Sequence, residues 1–215
     1  MRELYLTYAE TRAWYGLYEY TDLILGSDGQ FGALSGNDVV WGPVDGLSMS
    51  GFTHGGDDQL IVNSGYSNDI STGQGFDTIW LKNGSGLIFA GEGNDIIQVE
   101  GGFWWVGGDS GDDTIVNWAY VSGDIFGGFG NDYLINAGGA SAHFYGGPGF
   151  DVFAPGAIYN GQYVDSFMAI KDFEWGIDAI DTTHSGPINY IPRSDGGYWM
   201  ETAAAGTLLG YIEYA

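Results

Sequence analysis

The sequence predicts an all-β protein: a parallel β-roll (β-solenoid) of 18–19-residue coils, closed on its C-terminal side by an antiparallel β cap. Three observations carry this. Blocks ending on aspartate recur as GQGFD (73–77), GEGND (91–95), GDSGDD (108–113), GGFGND (127–132) and GGPGFD (146–151), and their final aspartates are 18, 18, 19 and 19 residues apart. Two positions after each aspartate stands a large apolar residue: Ile79, Ile97, Ile115, Leu134, Phe153. Seven positions before it stands another: Ile70, Ile88, Val106, Ile125, Phe144. A unit this short cannot bury a face alone, so successive units must stack and cover one another.

Each part of the repeat has a physical reason. The glycines two and four positions before the aspartate are Gly73, Gly75, Gly91, Gly93, Gly111, Gly128, Gly130, Gly147 and Gly149. They permit positive φ, so the chain turns tightly and its carbonyls aim inward beside the carboxylate. The segments TIWL, IIQV, TIVN and YLIN that follow the aspartates are short strands. A second turn and the segments GLIF, WWV, DIF and HFY bring the chain back, so that the next coil stacks in parallel about 4.8 Å away.

Stacking places Asp77, Asp95, Asp113, Asp132 and Asp151 in one row. Two carboxylates about 5 Å apart repel by roughly 3 kcal/mol at an effective dielectric near 20. Several such pairs exceed the marginal stability of a domain, on the order of 5–15 kcal/mol. A divalent cation between rungs reverses the sign. Carboxylates and carbonyls without His or Cys favour a hard cation, so Ca2+ is expected and folding should require it.

In chain order, residues 1–21 hold two arginines and five tyrosines. They are expected to cap the open end of the solenoid, with a strand in ELYLTY and a helical turn at 9–13. Residues 22–155 form the roll. Its early coils are weaker: Asp38 and Asp58 keep the register, with Val40 and Leu60 two positions on, and join the metal row; Asp22 lacks both glycines and does not. On the opposite edge, nine positions before each aspartate, stand Asn68, Gly86, Trp104, Gly123 and Ala142. None is acidic, so one edge alone is expected to hold metal; Asp69 and Asp124 lie one residue out of register. His54, His143 and His184 are isolated and read as surface or filler residues. Residues 156–215 break the spacing and end in the strand-like runs NYIP, YWMETA and TLLGYIEY.

GGFGNDYLI and GGPGFDVFA match the nonapeptide GGxGxDxUx, and the repeats at 73–81 and 91–99 match all but its first Gly. On these residues the chain resembles the RTX (repeats-in-toxin) calcium-binding β-rolls. Ile170-Lys171-Asp172-Phe173, Gly176, Asp178, Ile180 and Asp181 look like the segment that follows the roll in the C-terminal modules of serralysin-type proteases and mannuronan epimerases. That resemblance implies capping strands, an uncleaved type I secretion signal near the C-terminus and a location outside the cell or on its surface.

Composition narrows the function. A net charge of −23 argues against nucleic acid and anionic membranes as partners. No cysteine means no disulfide framework, and no 18-residue apolar run offers a membrane span. No signal peptide is legible at the start of the sequence. HExxH, GxSxG and P-loop motifs are absent, so catalysis is not expected. Two functions stand. One is a secreted calcium-binding structural or adhesive module that self-associates through an outward stripe of Trp41, Ile61, Trp80, Val116 and Ile135. The other is a polysaccharide-binding module that uses Trp104, Trp105 and Trp118 beside Phe89, Phe126 and Tyr145.

Overall fold

In the computed structural model, the residues described are 3–5, 23–25, 29–31, 36–41, 49–63, 68–118, 123–138, 142–159, 162–164, 166–183 and 185–214. All the regular structure among them is β. Two long sheets face each other. The downstream sheet is built from the strands that follow the aspartates, in the order Glu3–Tyr5, Leu23–Leu25, Val39–Trp41, Gln59–Val62, Thr78–Leu81, Ile96–Val99, Thr114–Asn117, Tyr133–Asn136, Val152–Pro155 and Ala179–Ile180, and every pairing is parallel. The upstream sheet holds the strands that precede the aspartates, from Gly29–Phe31 through Met49–Phe52, Asn68–Gln74, Ser85–Glu92, Phe103–Ser110, Asp124–Phe129 and His143–Tyr145 to Met168–Phe173.

The register follows the sequence period. Val40, Leu60, Ile79, Ile97, Ile115, Leu134, Phe153 and Ile180 are successive Cα partners across the downstream sheet. Ile70, Ile88, Val106, Ile125, Phe144 and Ile170 do the same across the upstream sheet. From Val40 to Phe153 and from Ile70 to Ile170 these side chains are at most 3% exposed and form one core. Fully burying one Ile, Leu or Phe is worth about 1.5–3 kcal/mol, so the two apolar rows are the main cohesive force between coils.

The C-terminal strands cap the roll in a way the sequence does not announce. Leu208–Tyr214 adds parallel to Met168–Phe173, continuing the upstream sheet by one more strand. Tyr198–Thr202 then pairs antiparallel with it, and Ile188–Pro192 antiparallel with Tyr198–Thr202. A small hairpin, Ala157–Tyr159 with Gln162–Val164, forms a separate antiparallel pair. At the other end, Glu3–Tyr5 lies parallel beside Leu23–Leu25, as a further strand of the downstream sheet. The helical turn expected at 9–13, Asp22 and His184 lie outside the described residues.

Candidate functional site

Six positions of each coil point inward: nine, seven and five before the aspartate, the aspartate itself, and two and four after it. For the Asp77 coil these are Asn68, Ile70, Thr72, Asp77, Ile79 and Leu81, all buried. The aspartates therefore line the interior at one edge of the roll. Asp38, Asp58, Asp77, Asp95, Asp113, Asp132 and Asp151 are each at most 1% exposed.

One carboxylate oxygen of each rung has a fixed task. The backbone N–H of Asp38 donates to Asp58 Oδ1 at 2.7 Å, that of Asp58 to Asp77 at 2.7 Å, and that of Asp77 to Asp95 at 2.7 Å. The row continues from Asp95 to Asp113 and from Asp113 to Asp132 at 2.8 Å, and from Asp132 to Asp151 at 2.9 Å. A second, exposed row runs the other way one position earlier: the N–H groups of Asp57, Phe76, Asp112, Asn131 and Phe150 donate to side-chain oxygens of Asn37, Asp57, Asn94, Asp112 and Asn131 in the preceding coil. The turn is thus tied from inside and outside in opposite directions.

The other carboxylate oxygen is the unusual atom. Oδ2 of Asp58, Asp77, Asp95, Asp113, Asp132 and Asp151 is buried without a hydrogen-bond partner. Burial pushes Asp58 up to about 7, Asp95 to about 6, Asp113 to about 8, Asp132 to about 6 and Asp151 to about 7, and it raises Asp77 as well. Neighbouring carboxylates add to most of these shifts; Asp132 and Asp95 do so at Asp113. An unsatisfied buried acceptor costs about 1–3 kcal/mol, and more when charged. The row therefore holds oxygen donors that lack a positive partner.

The glycines behave partly as expected. Gly73, Gly75, Gly91, Gly93, Gly111, Gly128, Gly130, Gly147 and Gly149 all have positive φ. Their carbonyls do not simply converge on the carboxylate. A Cβ on Gly93 would stand 1.6 Å from Gly75 O, and one on Gly111 1.8 Å from Gly93 O, so these carbonyls press along the roll axis against the next coil's glycine. Close stacking is thus a second reason for glycine there. His54 and Asp109 occupy the position of Gly73 and Gly91 in their own coils, and they too take positive φ, 69° and 74°. The sequence reading missed the glycines five before the aspartate: Gly108, Gly127 and Gly146 face Asp113, Asp132 and Asp151.

The cap completes the row. Asp178 accepts the Asp151 N–H at 3.1 Å and so stands where the next rung would be. Asp172 accepts the N–H groups of Gly146 at 2.9 Å and Gly147 at 3.0 Å. Asp181 accepts from the Tyr133 hydroxyl at 2.5 Å. The three aspartates of the 170–181 segment are thereby all backbone or side-chain anchors of the last coils.

Among the described residues, the opposite edge holds no carboxylate in its inner row. Asn68 donates to Ser85 O, and Asn117 donates to Asn136, which donates to Phe167 O. Trp104 is expected outward with Trp105, but it is 2% exposed, and its indole N–H donates to Gly101 O at 2.9 Å. Gly86 stands in register with it, and a Cβ on Gly102 would come within 2.8 Å of the indole nitrogen. Asp69 and Asp124 belong to outward-facing positions of the upstream sheet, where Asp124 Oδ1 lies 2.9 Å from His143 Nδ1.

Two outer faces remain. Ile61, Trp80, Gln98, Val116 and Ile135 lie half-buried along the downstream sheet, while Ala154 is buried. The upstream sheet exposes Phe52, Phe89, Trp105 and Phe126, and Phe126 stacks on Tyr145 at 4.7 Å. Beside them runs a groove of about 770 Å³ whose walls include Glu92, Asp109, Phe126, Phe129, Tyr145 and Asp172.

Among the described residues, no three Asp, Glu, His or Cys side chains gather at one point. The inward acids are strung along an axis, one per coil. No family model, curated protein or solved structure matches the chain.

Proposed function

We propose that this chain is a secreted calcium-binding structural or adhesive module of the RTX type, which folds on binding Ca2+ outside the cell. The observation that carries this is the row of buried carboxylate oxygens from Asp58 to Asp151, each without a hydrogen-bond partner. In kind the donors suit a hard cation, being oxygens throughout. The ions would be held within the row of Asp38, Asp58, Asp77, Asp95, Asp113, Asp132 and Asp151, together with carbonyls of the turn glycines. Bound between rungs, a divalent cation supplies the charge that turns carboxylate repulsion into cohesion between coils. The protein's own groups do the rest: Oδ1 of each rung fixes the turn of the neighbouring coil, and the apolar rows hold the two sheets together.

Calcium sites of extracellular modules bind in the range of roughly 10⁻⁴–10⁻³ M, so such a row is empty in a calcium-poor cytosol and filled after export. Self-association follows from the same charge. The net charge of −23 keeps metal-free copies apart, and bound calcium removes part of that repulsion and lets the stripe of Ile61, Trp80, Val116 and Ile135 pair. Light scattering tests this: mass should rise with calcium and less so in Trp80→Ser. A strictly monomeric calcium form would refute the adhesive part.

A polysaccharide-binding module is the second reading, favoured by the exposed Phe89, Trp105 and Phe126, with Tyr145 stacked on Phe126, beside the acidic groove. Its mark would be saturable binding of an oligosaccharide that is lost in Trp105→Ala.

A further inference from the structure

The inner position five before each aspartate divides the row in two. In the coils of Asp113, Asp132 and Asp151 it is Gly108, Gly127 and Gly146. In those of Asp58, Asp77 and Asp95 it is Thr53, Thr72 and Ala90. None of the three glycines has a left-handed φ, so the backbone does not require glycine there. They leave room instead. A Cβ on Gly108 would stand 2.1 Å from Asp113 Oδ2 and 2.5 Å from Gly127 O. One on Gly127 would stand 2.2 Å from Asp132 Oδ2 and 2.7 Å from Gly146 O, and one on Gly146 2.2 Å from Asp151 Oδ2. At the first two rungs, then, a partnerless carboxylate oxygen and a carbonyl oxygen of the next coil are pressed toward the same point. Two acceptors cannot satisfy each other; they need a positive centre between them.

At the threonine rungs a side chain fills that point and the carbonyl is already satisfied. Thr53 Oγ1 donates to Thr72 O at 2.6 Å, and Thr72 Oγ1 donates to Ala90 O at 2.8 Å, so the carbonyl five before the next aspartate receives a hydroxyl hydrogen. Both threonines are fully buried. Each hydroxyl also stands beside its own coil's carboxylate, Asp58 or Asp77. A hydroxyl rotor can give its hydrogen to either oxygen. Ala90 places a methyl at the same position and leaves no such room.

We propose that cation binding is confined to the rungs of Asp113, Asp132 and Asp151, and that Thr53, Thr72 and Ala90 close the row toward the N-terminus. This rests on the calcium reading and refines it. The protein is one in which a metal-clamped C-terminal part of the roll, next to the Asp172 and Asp178 anchors, continues into a hydroxyl-clamped part that needs no metal.

The test is calcium titration of the full chain by calorimetry, with terbium luminescence as a second readout. The wild type should bind about three ions, one for each glycine rung, at oxygen-only sites. Gly127→Thr should bind about one fewer, and Thr72→Gly about one more; adding Asp77→Asn to Thr72→Gly should remove the extra ion. Thr72→Gly keeps the test decisive if Gly127→Thr does not fold. Filling of all six rungs from Asp58 to Asp151 in the wild type, or an unchanged count in Thr72→Gly, would overturn the division while leaving the calcium reading intact. No binding of either ion by the wild type would overturn both.

Discussion

Asp132 accepts the backbone N–H of Asp113 through Oδ1 at 2.8 Å and keeps Oδ2 buried with no hydrogen to receive. The same carboxylate is both a structural clamp and an unsatisfied charge. Which role dominates depends on what meets the second oxygen.

Asp113→Asn separates the two. The amide keeps an acceptor for the Asp95 N–H and puts an N–H donor near Gly127 O. In chelator the variant should be more stable than the wild type by about 1–3 kcal/mol, since a carboxyl that is costly to bury at neutral pH, whether charged or protonated, is gone. In saturating calcium it should be less stable than the wild type. Asp124→Ala, on an outward position beside His143, should stay within about 0.5 kcal/mol in both conditions. Urea denaturation with and without calcium checks the reversal of sign.

The metal-free protein should gain stability on acidification. Folding raises the carboxyl values of Asp58, Asp95, Asp113, Asp132 and Asp151 to between about 6 and about 8. A raised value means that the folded chain binds the proton more tightly than the unfolded one. The contribution is complete below the unfolded value near 4 and is lost as pH rises through 6 to 8. In chelator, then, the melting temperature should fall steadily between pH 5 and pH 8, and calcium should flatten that slope. A metal-free melting temperature that rises with pH over this range would contradict the burial of the row.

The two adjacent tryptophans should behave oppositely. Trp104 fills the metal-free edge, so Trp104→Ala should cost about 3–5 kcal/mol by leaving a cavity. Trp105, 49% exposed, should tolerate alanine within about 0.5 kcal/mol. Thermal melts of the pair in calcium decide it.

These contrasts mark what the sequence made legible. The period, the two apolar rows and the aspartate register could be read directly, because a stacked coil repeats the same inward positions and burial selects the same residue types. Trp104 was not legible: the alternation that puts Trp105 outside puts Trp104 inside, but a tryptophan pair beside glycines fits either phase until the register is known. Gly108, Gly127 and Gly146 were missed for a different reason. Glycine can answer a need for positive φ or a need for space, and the letter is the same; only the backbone angle separates Gly127 from Gly128. The acids of the C-terminal segment stood out by resemblance, yet their tasks at Gly146, Gly147, Asp151 and Tyr133 depend on long-range contacts that no local pattern encodes.

The most direct test of the account is far-ultraviolet circular dichroism of the full chain at neutral pH, after exhaustive EDTA treatment and then on adding calcium. The account predicts loss of part of the β signal in chelator, from the coils of Asp113 to Asp151, and its cooperative recovery at millimolar calcium, with magnesium a poor substitute because it demands smaller octahedral sites. A β spectrum that is unchanged by EDTA and indifferent to calcium would contradict it.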